Sequence, residues 1–261
     1  MENIRLRKPF AVANWKMAMT IRESLAFARE FSAAVDDLAE AMTIVLCPPY
    51  TALYALSLGL AGSPIELGSQ NLCAESGKAH TGEISAQLLS DVGCRWVLLG
   101  HWEVRRRTGE TEAQINAKMH AAFQAGLRPI LLIGEGIRER GCVDQALDGR
   151  LNDLFANCTP EQAAQAALIY EPEWAIASQE PAHPDHIAAG CTFMRAWISE
   201  AFGRTAAEKV RIIYGGSVTP ENAEKLLTSP QIDGLGAGRK GRDPIAFAQI
   251  ARLIAKAKGL I

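Results

Sequence analysis

Several features are missing from this sequence, and each absence narrows its role. No apolar run approaches the roughly 18 residues that a bilayer-spanning helix needs, so membrane insertion is not expected. Charge of one sign is lacking too: 27 Lys and Arg stand against 29 Asp and Glu, a net charge of −2. That gives little basic surface for nucleic acid or an anionic membrane. The segment Met1 to Lys8 is charged and passes directly into a strand-like stretch. It has no apolar centre and no small-residue cleavage site, so no cleaved secretory signal is expected. No two of Cys47, Cys73, Cys94, Cys142, Cys158 and Cys191 form a CxxC pair, and no His lies at metal-ligand spacing from them. They read as buried or idle thiols of a protein in a reducing cytosol. No low-complexity stretch, charge block or Pro/Gly/Ser linker divides the chain, so residues 1–261 are expected to form a single domain.

What is present is alternation. Apolar residues make up 48% of the 261 residues and charged residues 21%, the composition of an ordinary globular chain. Short apolar runs read as strands at Phe10–Ala13, Thr43–Cys47, Ile65–Gly68, Trp96–Leu99, Pro129–Ile133, Leu168–Tyr170, Val210–Tyr214 and Ile232–Ala237. Amphipathic runs follow them at Ile21–Leu38, Thr51–Leu60, Ser85–Val92, Thr111–Ala125, within Arg138–Phe155, within His186–Phe202, at Pro220–Leu227 and at Pro244–Ala257. Strands this short and apolar, each followed by a helix, imply a parallel sheet covered on both faces. Eight such units in one uninterrupted chain of this length fit a closed (β/α)8 barrel, typically about 250 residues, better than an open doubly wound sheet. No GxGxxG follows the first strand, which removes the best signal for a dinucleotide fold.

A barrel gathers its chemistry at the C-terminal ends of its strands. There the chain carries Asn14 and Lys16 after the first strand, His101 and Glu103 after the fourth, and Glu171 followed by Pro172 after the sixth. Gly215-Gly216-Ser217 follows the seventh strand and Gly236-Ala237-Gly238-Arg239-Lys240 the eighth. Strand alternation is expected to point Asn14 and Lys16 the same way. Singly, each group has an ordinary reading as a solvated charge, a structural histidine or a turn. Together they place a cation, an imidazole, a carboxylate and two glycine-containing loops at one mouth. Glycines there let backbone N–H groups approach an anion closely. A carboxylate can take a proton from carbon beside a carbonyl, an imidazole can polarise that carbonyl, and an ammonium can stabilise an enediolate. This set suits aldose–ketose isomerisation of a small sugar phosphate and calls for no metal or organic cofactor.

The motifs resemble those of the triosephosphate isomerases over nearly the whole chain. They are Ala13-Asn-Trp-Lys-Met17, Gly68-Ser-Gln-Asn71, His80-Thr-Gly-Glu-Ile84, Leu99-Gly-His101, Gly109-Glu-Thr111, Ile133-Gly-Glu135, Tyr170-Glu-Pro172 with Trp174-Ala-Ile176, Tyr214-Gly-Gly-Ser-Val218 and Asp233-Gly234. The resemblance implies that Glu171 is the base and His101 a neutral electrophile, this family being the standard example of such pKa tuning. It makes Lys16 and Asn14 substrate contacts, and Glu103 an acidic neighbour of the site. Ala177, Ser217, Gly238 and Arg239 become phosphate contacts. Thr81 becomes a residue reaching into a neighbouring subunit's site, which implies a homodimer.

The departures are specific. The family's Gly-His-Ser-Glu-Arg-Arg reads Gly100-His101-Trp102-Glu103-Val104-Arg105 here, so an indole replaces a hydroxyl close to the base and Val104 replaces a guanidinium. The bulky Trp102 is expected to displace Glu171, the substrate or itself. The first lid hinge, Pro-Val-Trp, becomes Pro172-Glu173-Trp174, and the tip Ala-Ile-Gly-Thr-Gly becomes Ala175-Ile176-Ala177-Ser178-Gln179, with Pro181 beyond it. The pair Gly238-Arg239 resembles a branch of the family that isomerises tetrulose phosphates. The leading expectation is interconversion of dihydroxyacetone phosphate and D-glyceraldehyde 3-phosphate. Two others compete: isomerisation of L-erythrulose 1-phosphate and D-erythrulose 4-phosphate, and a barrel that binds phosphorylated ligands with little catalysis.

Overall fold

In the computed structural model, residues 7–75, 77, 79–176, 178 and 180–261 are described. Eight parallel strands close on themselves in chain order: β1 (Phe10–Asn14), β2 (Thr43–Cys47), β3 (Glu66–Ser69), β4 (Cys94–Leu99), β5 (Arg128–Ile133), β6 (Ala167–Tyr170), β7 (Arg211–Gly215) and β8 (Gly234–Ala237). β8 pairs with β1, Phe10 opposite Gly234 and Ala13 opposite Ala237, which seals the barrel. The expected (β/α)8 architecture is the observed one.

Helices α1 (Ile21–Val35), α2 (Tyr50–Gly59), α3 (Ala86–Asp91), α4 (Trp102–Thr108), α5 (Glu112–Gln124), α6 (Val143–Leu154), α7 (Pro160–Gln165), α8 (Pro184–Phe202), α9 (Arg204–Lys209), α10 (Pro220–Leu226) and α11 (Pro244–Ala257) surround it. Their starts follow local chemistry. Thr20 caps α1 and Thr111 caps α5, each in a reciprocal box with Glu23 or Gln114 three residues on. Asp243 accepts from the N–H groups of Ile245 and Ala246, and Pro244 opens α11. α1 turns Phe27, Phe31 and Val35 inward, and Phe31 stacks on Phe247 of α11 with ring centroids 5.0 Å apart.

Several boundaries differ from those expected. α1 stops at Val35 rather than Leu38, β3 lies one residue later, β4 begins at Cys94, and β8 begins at Gly234 rather than Ile232. α8 starts two residues before His186, because His183 accepts from the Asp185 N–H and Pro184 fits the first helical position. Within 138–155 the helix proper starts only at Val143, after a single 3-10 turn at Ile137–Glu139. Three short helices, α4, α7 and α9, had no expectation. At six or seven residues they are too short to show an apolar period.

The barrel interior holds Phe10, Val12, Val45, Cys47, Trp96, Leu98, Ile130, Leu132, Ala167, Ile169 and Ile213. Alternation along each strand explains this set, and the same alternation sets the mouth. Counting on by two from Ala167 and Ile169 reaches Glu171; counting from Val12 reaches Asn14, and from Ile213 reaches Gly215. The second, larger apolar layer lies between the outer strand faces and the helices, where Leu99, Leu131, Leu168 and Ile212 meet Ile115, Leu151, Met194 and Ile254.

Candidate active site

A cavity of about 870 Å³ opens at the C-terminal end of the barrel, and Asn14, Lys16, His101, Glu103, Glu171, Ser217, Gly238 and Arg239 line it. Of the expected site residues, Trp102 and Thr81 are not in its wall, and Ala177 lies outside the described residues.

Lys16 reaches this wall differently from expectation. β1 ends at Asn14, and Lys16 has a left-handed backbone with φ 53°. The turn, not strand alternation, aims it. Asn14 Oδ1 accepts from the Lys16 N–H at 3.0 Å, and Gln70 donates to the carbonyls of Lys16 at 2.9 Å and Cys47 at 3.0 Å. These bonds hold a conformation that a residue with a Cβ adopts at some cost. The Lys16 ammonium lies 2.6 Å from Glu103 Oε1. Burial alone would raise the Glu103 carboxyl, but the bond from Lys16, its charge and that of Arg106 outweigh it and hold it below the ordinary carboxylate range.

His101 caps α4: its Nδ1 accepts from the Glu103 N–H at 3.1 Å. A ring nitrogen that accepts carries no proton, so the proton of this tautomer sits on Nε2. Nε2 points to Glu171, 3.8 Å from Oε2. Glu171 is buried, and its Oε2 has no hydrogen-bond partner. Its backbone N–H donates to Ile133 O at 2.8 Å. Two glycines make room for it. A Cβ on Gly134 would collide with the Glu171 carbonyl, and one on Gly215 would press on Ile169 and stand 3.4 Å from Glu171 Oε1.

Of the three displacements expected of Trp102, that of the substrate does not occur, since the indole is not in the cavity wall. The ring lies behind the base rather than in the cavity, and Nε1 donates to the Glu171 backbone carbonyl at 3.0 Å. The guanidinium carbons of Arg105 and Arg150 each lie 5.4 Å from its ring centroid.

The β7 and β8 loops complete the wall with Ser217, Gly238 and the Arg239 guanidinium. Ser217 is left-handed, φ 47°, and Gly216 has φ 134°. The Ser217 hydroxyl donates to Ser178 O at 2.6 Å, and Arg239 Nη2 reaches the same carbonyl at 3.4 Å. The described part of the segment after β6 thus rests on the β7 and β8 loops. Beyond it, the Ala182 N–H donates to Tyr214 Oη at 2.9 Å.

Sequence reasoning missed the groups that hold this segment. Glu135, fully buried, accepts from Tyr170 at 2.8 Å and Trp174 at 2.7 Å, and meets His186 at 2.8 Å. Gln70 and Tyr214 were missed likewise. Each lies in a motif of the resemblance, which was the available signal. Among the described residues, no group of three or more His, Cys, Asp or Glu is set to hold a metal ion. No described helix is long and apolar enough to cross a membrane.

Fold and site define a (β/α)8 barrel with a carboxylate, an imidazole and an ammonium around one cavity that the Arg239 guanidinium also lines. The family model described as triosephosphate isomerase matches residues 9–254. A triosephosphate isomerase of Symbiobacterium thermophilum is 42% identical over 255 residues, 97% of this chain and 99% of the relative. One of Carboxydothermus hydrogenoformans is 41% identical over 249 residues, 95% of this chain and 99% of that one. The crystal structure of triosephosphate isomerase from Bartonella henselae superposes with a TM-score of 0.84 at 32% identity, covering 94% of this chain and 98% of that chain. The chain belongs to the triosephosphate isomerase family.

Proposed function

We propose that this protein is an isomerase that interconverts dihydroxyacetone phosphate and D-glyceraldehyde 3-phosphate through an enediolate. The observation that carries the reading is the pairing of a buried Glu171 carboxylate, free of hydrogen bonds at Oε2, with a His101 Nε2 at 3.8 Å inside the cavity that also holds Lys16. In this reading Glu171 takes a proton from the carbon beside the carbonyl and returns it to the neighbouring carbon. His101 lends its Nε2 proton to the carbonyl oxygen and carries protons between the two oxygens. Lys16 faces the negative charge that develops. Asn14 and Glu103 hold Lys16 in place; Ser217, Gly238, Arg239 and Ala177 receive the phosphate.

We further propose a single-domain homodimer of the reducing cytosol. Thr81 is exposed on the loop before α3, and Met17, next to Lys16, is 97% exposed, as a residue awaiting a second subunit would be. The six cysteines are free thiols, which suits a reducing compartment.

The tetrulose phosphate reading rested partly on Trp102 reshaping the pocket, and the indole lies outside it. Purified protein is to be assayed with dihydroxyacetone phosphate, D-glyceraldehyde 3-phosphate and L-erythrulose 1-phosphate. Triose phosphates are expected to give the higher kcat/KM. Turnover of the tetrulose phosphate alone, or of none, would overturn the proposal.

A further inference from the structure

We infer that α4 is a splint for the catalytic base, with Trp102 and Arg106 as its two positioning residues. The inference rests on the reading of Glu171 as the base.

A base that removes a proton from carbon must sit within about 3 Å of it. Glu171 Oε2 has no partner to aim it. Its direction therefore depends on where the backbone of residues 171–173 is held. That backbone is tied to the end of β5, Glu171 N–H to Ile133 O at 2.8 Å and Glu173 N–H to Glu135 O at 3.0 Å, and one helix adds two further grips. Trp102 Nε1 donates to Glu171 O at 3.0 Å. One helical turn later, Arg106 Nε donates to Glu173 Oε1 at 2.8 Å, while Glu173 Oε2 accepts from the Ile137 N–H at 3.0 Å. Positions i and i+4 share a helix face, so the two grips act side by side on the segment that runs from the base into the lid.

The grips are themselves held. Arg105, flanking the Trp102 ring, donates to Gly100 O at 2.8 Å and to Glu112 at 2.6 Å. Arg150, also flanking it, bonds Glu139 at 2.7 Å, and Glu139 accepts from the Gly136 N–H at 2.7 Å. Cations over the indole restrict its swing. His101 is the N-cap of the helix and Trp102 its first residue, so the electrophile and the anchor of the base are consecutive residues. The 3.8 Å separation of His101 and Glu171 is thus fixed through α4, not through the lid tip. The tip contacts, Ser178 with Ser217 and Arg239, are made to the β7 and β8 loops. The grips on the base and the contacts of the tip therefore use different residues.

The test uses Trp102→Phe, which keeps a ring and removes the N–H, and Arg106→Gln, at a side chain 50% exposed and therefore harmless to folding. Three quantities are compared with the parent: kcat and KM for triose phosphate, the dissociation constant of inorganic phosphate, and amide hydrogen exchange in residues 171–176. Trp102→Phe is expected to lower kcat about 10- to 100-fold, since misplacement on the order of 1 Å has that effect. KM and phosphate affinity should stay within about twofold, as for a loss confined to the transition state. Exchange in 171–176 should quicken while residues 228–236 stay as in the parent. Arg106→Gln should act in the same sense, about two- to fivefold, one exposed ion pair being worth under about 1 kcal/mol, and it carries the test if Trp102→Phe fails to fold. Unchanged exchange in 171–176, or a loss that appears in KM and phosphate affinity with kcat intact, would overturn the inference. A parent that does not isomerise triose phosphates would overturn the proposed function instead, and the exchange comparison would still decide whether α4 holds the segment.

Discussion

The two ends of this barrel solve opposite problems with similar residues. At the N-terminal end, Asp233 is buried and its carboxylate is fully engaged: Arg7 at 2.6 Å, Arg195 at 2.7 Å and the Ile212 N–H at 2.8 Å. The interior is closed there by Phe10 and Trp96, ring centroids 5.0 Å apart, with the Arg128 and Arg211 guanidiniums each 5.4 Å from the Trp96 centroid. At the C-terminal end, Glu171 is buried too, yet its Oε2 is unbonded and the residue lines an open cavity. A buried polar group without a partner is costly. For the two carboxylates the barrel bears that cost only at the mouth, where the free oxygen has a substrate to meet. Conversely, the carboxylate of the floor has every oxygen spoken for and nothing left to react.

Substitution at each end should therefore damage different properties. The largest expected effect is at the mouth. Glu171→Gln should lower kcat by about 10²- to 10⁴-fold, the usual worth of a positioned base, with Tm close to the parent value. Steady-state kinetics alongside calorimetry reads both. If turnover survives in the folded variant, Glu171 is not the base and the contrast between the ends collapses.

Next in size is the floor. Asp233→Asn leaves Arg7 and Arg195 without their carboxylate, and breaking a buried ion pair typically destabilises by about 3–5 kcal/mol. Urea denaturation should show that loss, while kcat/KM per folded molecule stays near the parent value. A catalytic defect without loss of stability would mean that the floor is coupled to the mouth.

Arg239 should give a smaller effect of a third kind. It is exposed at the cavity rim, bonded at 3.4 Å to Ser178 O. Arg239→Ala is expected to raise KM for triose phosphate about five- to tenfold, on the order of the worth of one ordinary hydrogen bond. Both kcat and Tm should change little, in contrast to Glu171→Gln and Asp233→Asn. If kcat falls instead, Arg239 acts on the enediolate and not only on the phosphate.

The same contrast explains what the sequence disclosed. The barrel was legible because eight buried strands leave short apolar runs, and the mouth because strand ends name its residues. His101, Glu171, Ser217 and Gly238 were found by position alone. Local strain was not legible. Nothing in the residue order shows that Lys16 takes φ 53°, because that conformation is held in part by Gln70 from the loop after β3. Trp102 misled for a related reason. A side chain adjacent to a site residue in sequence is not adjacent to the cavity when the helix that carries it turns away. Its bond to a backbone carbonyl leaves no trace in residue types. Glu135 and Tyr214 bind the segment after β6 through tertiary contacts and were visible only through motif resemblance.

The smallest expected effect concerns a residue that belongs to the mouth yet is paired like the floor. Glu139 bonds Arg150 at 2.7 Å and the Gly136 N–H at 2.7 Å. Burial would raise its carboxyl, but those partners outweigh it and hold the group below its ordinary value. A folded-state value below the unfolded one means that the interaction contributes above the unfolded value, about 4.3 for Glu. The contribution disappears as pH falls through the lower, folded value. At 40% side-chain exposure it is largely screened and stays under about 1 kcal/mol. Glu139→Gln should thus lower Tm slightly at pH 7, and the gap from the parent should close as pH is taken to 3. Arg150 would also lose one tether while still flanking Trp102, so kcat should fall less than in Trp102→Phe. A gap that widens toward acid would reverse the sign argued here. A kcat loss equal to that of Trp102→Phe would show that the indole is held chiefly through Arg150.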